Sequence, residues 1–212
     1  MADELNLVQL PLGPLQTNCY LVADPATRDA VVIDPGWDAP VVLDALAQRQ
    51  WQARAVLLTH AHFDHLGAVA GVVAATRAPF AIHPLELPLM RRRGGGLSFG
   101  LVVPDCPEPD RLLESGQPFE AGSLRLDVLF VPGHTLGHVA FYHAAAGLVL
   151  SGDVLFQQGI GRTDLPGGNY QTLMRSIREV LLALPDETTV CPGHGPLTTI
   201  GEERRDNPFL AE

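Results

Sequence analysis

The sequence predicts an α+β protein in which two β-sheets pack face to face with helices on the outside. Three observations carry that expectation. Short apolar runs recur along the chain, broken by Gly, Pro and Asp in the way strands are broken by turns. Segments with helical spacing interrupt them, and a strand-first order occurs twice, once in each half. Hydrophobic residues make up 46% and charged residues 18% of 212 residues, an ordinary globular balance with enough length for a real core. Residues 1–212 are therefore read as one domain.

Leu5–Leu10, Asn18–Ala23 and Ala30–Ile33 read as strands separated by turns at Gly13-Pro14 and Asp24-Pro25. Asp38 is placed as the cap of a helix running through Gln50, with Val41, Val42, Ala45 and Leu46 at helical spacing. Ala53–Leu58 reads as a buried strand and Leu66–Thr76 as a helix. Phe80–Ile82 returns to strand, and a short helix follows near Leu85–Arg91. Arg91–Gly100 and the Pro-rich Pro104–Pro109 read as loops. Leu124–Val131, Val139–His143 and Leu148–Leu150 are strands, and Asn169 caps a helix to Leu184 with Leu173, Ile177, Val180 and Leu181 on one face. A last strand, Thr189–Cys191, leads to His194 and a short helix before Asn207-Pro208.

Acidic residues outnumber basic ones 24 to 14, for a formal charge of −10. Nucleic acids and anionic membranes require clustered positive charge, so neither is expected as a partner. The basic residues are all Arg; the absence of Lys excludes Schiff-base and Walker A chemistry. Any substrate carboxylate must then be met by Arg, backbone N–H or metal. Cys19, Cys106 and Cys191 are an odd, widely spaced set that suggests no disulfide framework. The acidic start, Met1-Ala-Asp-Glu-Leu, has neither a basic n-region nor an apolar h-region after it, and the chain reads as cytoplasmic. Oligomeric state is left open.

The chemistry concentrates in Thr59-His60-Ala61-His62-Phe63-Asp64-His65, directly after the strand Ala53–Leu58. Alternation in an extended loop puts His60 and His62 on one side, while Asp64 and His65 project from the start of the next helix. Two pairs of donors facing one cavity can hold two metals. Three further candidates follow apolar strands, each preceded by Gly: His134, Asp153 and His194. Five of the eight histidines fall in this set. His83 and His143 fit no ligand spacing, and His138 reads as a packed residue near the site. Cys191 reads as a buried strand residue.

These motifs together resemble the metallo-β-lactamase superfamily, and the resemblance runs from Gly13 to the C-terminus. It implies a four-layer αββα sandwich with a di-metal site between the sheets. It further implies that His60, His62 and His134 bind a first metal, that Asp64, His65 and His194 bind a second, and that Asp153 bridges them. The stretches Gly13–Val22, Gly159–Gly168 and Pro192–Leu210 resemble the short glyoxalase II-like branch, thioesterases related to hydroxyacylglutathione hydrolase. Full-length glyoxalase II carries a C-terminal helical extension that helps bind glutathione; only 18 residues follow His194 here, so glutathione recognition does not carry over.

The expected reaction is hydrolysis of a small-molecule acyl thioester such as S-lactoylglutathione by a metal-bound hydroxide, with Asp64 and Asp153 as the catalytic carboxylates. Two divalent ions are expected, zinc first, with iron or manganese accepting the same ligands. Arg162, in Gly161-Arg-Thr-Asp164, is the candidate for a substrate carboxylate, or else forms a loop ion pair with Asp164. The Arg91–Arg93 run reads as a solvated helix end rather than a binding patch. Alternatives are a persulfide dioxygenase with a single iron and a non-catalytic metal-binding module on the same fold. A β-lactamase is disfavoured because Asp153 stands where two-zinc enzymes commonly have Cys and no export signal is seen. The flavo-diiron branch, which typically has Glu where this chain has His62, and a nuclease, which needs a basic surface, are also disfavoured.

Overall fold

The computed structural model describes residues 5–211, so most of the acidic opening segment, Met1–Glu4, lies outside the described residues. Strands β1 (Asn6–Leu12), β2 (Thr17–Ala23) and β3 (Asp29–Ile33) form an antiparallel meander. Helix α1 (Ala39–Arg49) then crosses to β4 (Gln52–Leu57), which pairs parallel to β3. Next come α2 (Phe63–Leu66), α3 (Val69–Thr76), β5 (Phe80–Ile82), α4 (Leu87–Met90) and β6 (Arg111–Leu112), completing a first sheet in the order β1-β2-β3-β4-β5-β6. The second half adds β7 (Pro118–Ala121), β8 (Leu124–Phe130), β9 (Val139–His143) and β10 (Leu148–Gly152), then the small hairpin β11 (Leu155–Phe156) and β12 (Gly159–Ile160). Helix α5 (Tyr170–Ser176), β13 (Thr189–Pro192), β14 (Thr198–Thr199) and α6 (Ile200–Asp206) follow. The second sheet runs β14-β13-β10-β9-β8-β7.

Alternation of side chains sorts each strand between two cores. Tyr20, Val22, Val31, Ile33 and Leu57 of the first sheet face Leu126, Val128, Phe141 and Leu150 of the second, filling the space between the sheets. Leu21, Val32 and Val56 point the other way, onto Val42 and Leu46 of α1 and Val69 and Val72 of α3. Ala140, Val149 and Val190 pack outward on Leu173, Ile177 and Leu181. The layers are thus helix, sheet, sheet, helix, the αββα sandwich. Strands buried on both faces carry unbroken apolar runs, as Cys19–Ala23 of β2 and Ala30–Ile33 of β3 do.

Several local expectations are corrected. Leu66–Thr76 is split between two helices, because at Gly67–Ala68 the Ala68 N–H bonds to the Pro35 carbonyl at 2.9 Å. Asp38 does not cap α1 with its side chain; its Oδ2 accepts the Gly13 N–H at 3.3 Å instead. Asn169 does cap α5, accepting the Thr172 N–H at 2.8 Å, but the helix passes into a π turn at Ile177–Leu181. The loop expected at Arg91–Gly100 contains a 3-10 segment, Arg93–Phe99, kinked at Gly94 and Gly95. Among the described residues no helix is long and apolar enough to cross a membrane.

Candidate metal centre

All seven expected ligands emerge at carboxyl ends of strands. After β4, buried Leu58 and Thr59 lead into an extended stretch, and His62 in β conformation starts α2, whose first turn carries Asp64 and His65. His134 follows β8, Asp153 follows β10 and His194 follows β13. Because β10 and β13 are parallel neighbours, Asp153 and His194 leave the sheet on the same edge. Their Gly-preceded turns have a steric cause. A Cβ on Gly193 would strike Asp153 Oδ1, and one on Gly133, at φ +131°, would strike the α5 backbone at Leu173.

The donor atoms converge. His62 Nδ1 lies 3.1 Å from His60 Nε2 and 2.8 Å from His134 Nε2. On the other side, Asp64 Oδ2 is 3.6 Å from His65 Nε2 and 3.2 Å from His194 Nε2. Asp153 stands between, its Oδ1 3.4 Å from His65 Nε2 and its Oδ2 3.6 Å from both His134 and His194 Nε2. Three overlapping triads, His60–His62–His134, His60–His65–Asp153 and Asp64–His65–His194, each keep their donor atoms within 4.8 Å of one another.

Four of these imidazoles are oriented from behind. His134 Nδ1 donates to the Arg162 carbonyl at 2.8 Å, and His194 Nδ1 to the Leu15 carbonyl at 3.2 Å. His65 Nδ1 lies 3.0 Å from Asp34 Oδ2. His60 Nδ1 lies 3.1 Å from Thr59 Oγ1, whose own hydrogen goes to Asp34 Oδ2 at 2.7 Å. With protons placed on Nδ1 by these acceptors, four Nε2 atoms aim inward, the arrangement metal-binding histidines adopt. His65 Nε2 and Asp153 Oδ1 are buried with no hydrogen-bond partner. Orphaned donors of this kind are costly unless something binds them, and a pair of divalent cations fits the set.

Electrostatics divides the cluster. Burial, reinforced by neighbouring imidazoles, drives His60 far below the ordinary histidine value and His62 down to about 3. Burial also opposes charge on Asp64, His65, Asp153 and His194, but there the ion pairs win. His65 and His194 hold Asp64 down at about 2, and His65 with His134 and His194 holds Asp153 far below the carboxylate range. In turn Asp153, Asp64 and Asp34 raise His65 well above its usual value, and Asp64 and Asp153 raise His194.

Sequence reasoning missed the residues that hold this cluster in place. Buried Asp34, at the end of β3, accepts from Thr59 N at 2.8 Å as well as facing His65. Its signal was present: a carboxylate at a strand's carboxyl end before Pro35-Gly36. Buried Glu86 accepts the Ala61 N–H at 2.8 Å and the Gly137 N–H at 2.7 Å, tying the His60–His65 loop to the His134 loop. Thr17 donates to Asp64 Oδ2 at 2.9 Å. Asn18 and Tyr20 both donate to the Pro192 carbonyl at 2.9 Å, bracing the turn that presents His194. His138, read as a packed residue, stacks on His60 and accepts the Asp153 N–H at 3.1 Å.

A cavity of about 640 Å³ opens over the cluster, walled by apolar side chains such as Leu15, Phe99, Phe156 and Leu165. Arg162 also lines it, but its guanidinium is held by Asp164 in a two-pronged pair at 2.8 and 2.7 Å. The loop ion pair that the sequence offered for Arg162 is present. The Arg91–Arg93 run lines an adjoining cavity.

Comparison with known proteins agrees with this architecture. A family model described as the metallo-beta-lactamase superfamily matches residues 12–194. The chain belongs to that superfamily. Hydroxyacylglutathione hydrolase GloC of Haemophilus influenzae is 38% identical, over 97% of this chain and 98% of its own length. Among solved superfamily structures, one described as BLEG-1 B3 metallo-beta-lactamase superposes with a TM-score of 0.93 at 41% identity, covering 98% of this chain and all of the other. TTHA1623 in a di-iron-bound form gives 0.88 at 46% identity, with 96% and 100% covered. ETHE1 from Myxococcus xanthus gives 0.80 at 31%, with 97% and 84% covered. The chain is accordingly a metallo-β-lactamase superfamily hydrolase with a His/Asp cluster suited to metal.

Proposed function

We propose that this protein hydrolyses a small-molecule acyl thioester such as S-lactoylglutathione, with two divalent metals held by the seven residues and zinc as the metal that best suits imidazole and carboxylate donors. His60, His62 and His134 would hold the first ion, Asp64, His65 and His194 the second, and Asp153 would join them. When bound, such ions supply a Lewis acid for the carbonyl oxygen and bring a water molecule's pKa to about 7. The carrying observation is the make-up of the cavity wall. Among the described residues lining it there is no Ser, Thr, Cys, Tyr or Lys, and its carboxylates and imidazoles are all among the seven proposed ligands, which supports water as the attacking group. The lining imidazoles and carboxylates would all be engaged by metal, and the Arg162 guanidinium is too weak an acid to protonate a poor leaving group. A thiolate, from a thiol of pKa about 8.5, leaves without that help, whereas an amine does not.

The chain's own contribution is orientation. Thr17 and His194 converge on Asp64 Oδ2, leaving Oδ1 the freer oxygen to accept from a water, and Asp153 faces both donor sets at once. The likeness to GloC supports the thioester reading, and three free cysteines accord with a single-domain enzyme of a reducing cytoplasm. One neighbour favours another substrate, the structure described as a B3 metallo-beta-lactamase pointing to a lactam, and the single-iron persulfide reading offered by the sequence is the other rival. The test is metal content of the purified protein with rates on S-lactoylglutathione, glutathione persulfide and a cephalosporin. The expected result is two metals per chain and turnover of the thioester above the other two. One iron with sulfite formed from the persulfide, lactam turnover exceeding the thioester, or bound metal with no turnover would each replace this reading.

A further inference from the structure

The second cavity, of about 510 Å³, shares His62, Phe99 and Leu165 with the one over the cluster, so the two form a continuous groove. Leu97 and Phe99, 64% and 49% exposed, give its wall an apolar surface that solvent would otherwise meet. Its cations are Arg91, Arg92 and Arg93, and their states differ. Arg91 is paired with Glu108 at 2.9 and 2.8 Å, and Arg93 with Asp105 at 2.6 and 2.9 Å. Arg162, in the first cavity, is paired with Asp164. Among the described residues, no carboxylate lies within ion-pair distance of Arg92. Of the four arginines lining the groove it alone keeps an uncommitted guanidinium.

We propose that Arg92 is a specificity residue that takes a carboxylate at the far end of an elongated thioester, whose thiol portion lies along Phe99 and Leu165 while its acyl carbon sits over the cluster. The inference rests on the thioester reading for the substrate class, and it transfers to Arg92 the carboxylate-binding role the sequence offered Arg162. The chemistry is specific: guanidinium grips carboxylate through two parallel hydrogen bonds, and the chain has no Lys to do so otherwise. The pairs on either side matter too. Glu108 and Asp105 already pair with Arg91 and Arg93, so among the described residues Arg92 is the unpaired cation of the run.

The test uses the metal-loaded protein and two matched probes, S-hexylglutathione, a thioether that cannot be hydrolysed, and its diethyl ester, which lacks the carboxylates. Wild type is expected to bind the acid at least about tenfold more tightly than the ester, the worth of one charge-assisted pair. Arg92→Ala is expected to bring that ratio within about threefold and Arg92→Lys to recover part of it, with affinity for the ester unchanged throughout. An Arg92→Ala protein that keeps the wild-type ratio, or a wild type with no preference, overturns the inference. Turnover of S-lactoylglutathione is read separately. Binding that depends on Arg92 without thioester turnover sinks the proposed reaction and leaves the carboxylate site standing.

Discussion

The tri-histidine side of the centre and its carboxylate side share Asp153, yet burial ends differently on each. On the first, His60 and His62 are surrounded by other imidazoles, so desolvation and mutual repulsion act together and keep them neutral. On the second, Asp34, Asp64 and Asp153 crowd around His65 and outweigh the same desolvation, so protons stay on His65 and His194. The first set presents lone pairs ready for a cation. The second is already an ion cluster in which protons occupy the place of positive charge, and loading it exchanges protons for metal. Unequal sites built from one loop and three turns are thus a consequence of where three carboxylates fall.

Breaking the shared element has the largest effect. Asp153→Ala removes the group that faces both sets and leaves His65 Nε2 with a more distant partner. Turnover is expected to fall by at least about a thousandfold, on the scale of losing a whole electrostatic stabiliser, with at least one metal lost per chain. Retention of full rate and metal content by elemental analysis would refute the di-metal arrangement.

Asp34→Asn sharpens the contrast, because Asp34 touches His65 directly and reaches the other side only through Thr59. Metal affinity on the carboxylate side is expected to drop about 10- to 100-fold, as for other carboxylates behind ligating histidines. The tri-histidine side should change much less. Titration with a chelating indicator reads the two affinities, and an equal loss on both sides would contradict the division.

Proton competition gives the next effect. His65 and His194 keep their protons above the ordinary imidazole value of about 6.5, so raising the pH through that window strips them and tightens binding of the second metal. The expected slope is about tenfold per pH unit for each proton displaced. His60 and His62, both lowered by burial, are already deprotonated there, so neither should add to the slope of the first metal over the same range. Parallel slopes for both metals would remove the electrostatic basis of the comparison.

How much of this the sequence revealed follows the reach of local signals. The seven candidate ligands that the structure brings together stood out because each sits in a short motif after an apolar run, with Gly where the backbone must come close. The two-sheet architecture was visible through apolar runs such as Cys19–Ala23 of β2 and Ala30–Ile33 of β3. Short edge strands such as β6 and β14 were not, since two residues carry no period. At the break at Gly67–Ala68 the Ala68 N–H bonds to the Pro35 carbonyl, from a segment some thirty residues earlier. Glu86 illustrates the same limit, because a Glu in Pro84-Leu-Glu-Leu87 looks like a surface residue until both loops it joins are in place.

Glu86 also provides the smallest and most local test, on the tri-histidine side. Its two oxygens accept from Ala61 N and Gly137 N, so the loop bearing His60 and His62 is fastened to the loop bearing His134 through one buried carboxylate. Glu86→Gln preserves size but offers one acceptor oxygen, and in either amide orientation an NH₂ group must face a backbone N–H. Leaving one buried donor unmatched costs about 1–3 kcal/mol. In a chain of this size each kcal/mol lowers the melting temperature by about 2–4 °C. The shift should appear in metal-free and metal-loaded protein alike, because the fastening is between backbones and not to the ions. If the loss appears only after metal removal, Glu86 acts by shaping the ligand set, and the two sides of the centre are fastened less independently than Asp34 and Glu86 suggest.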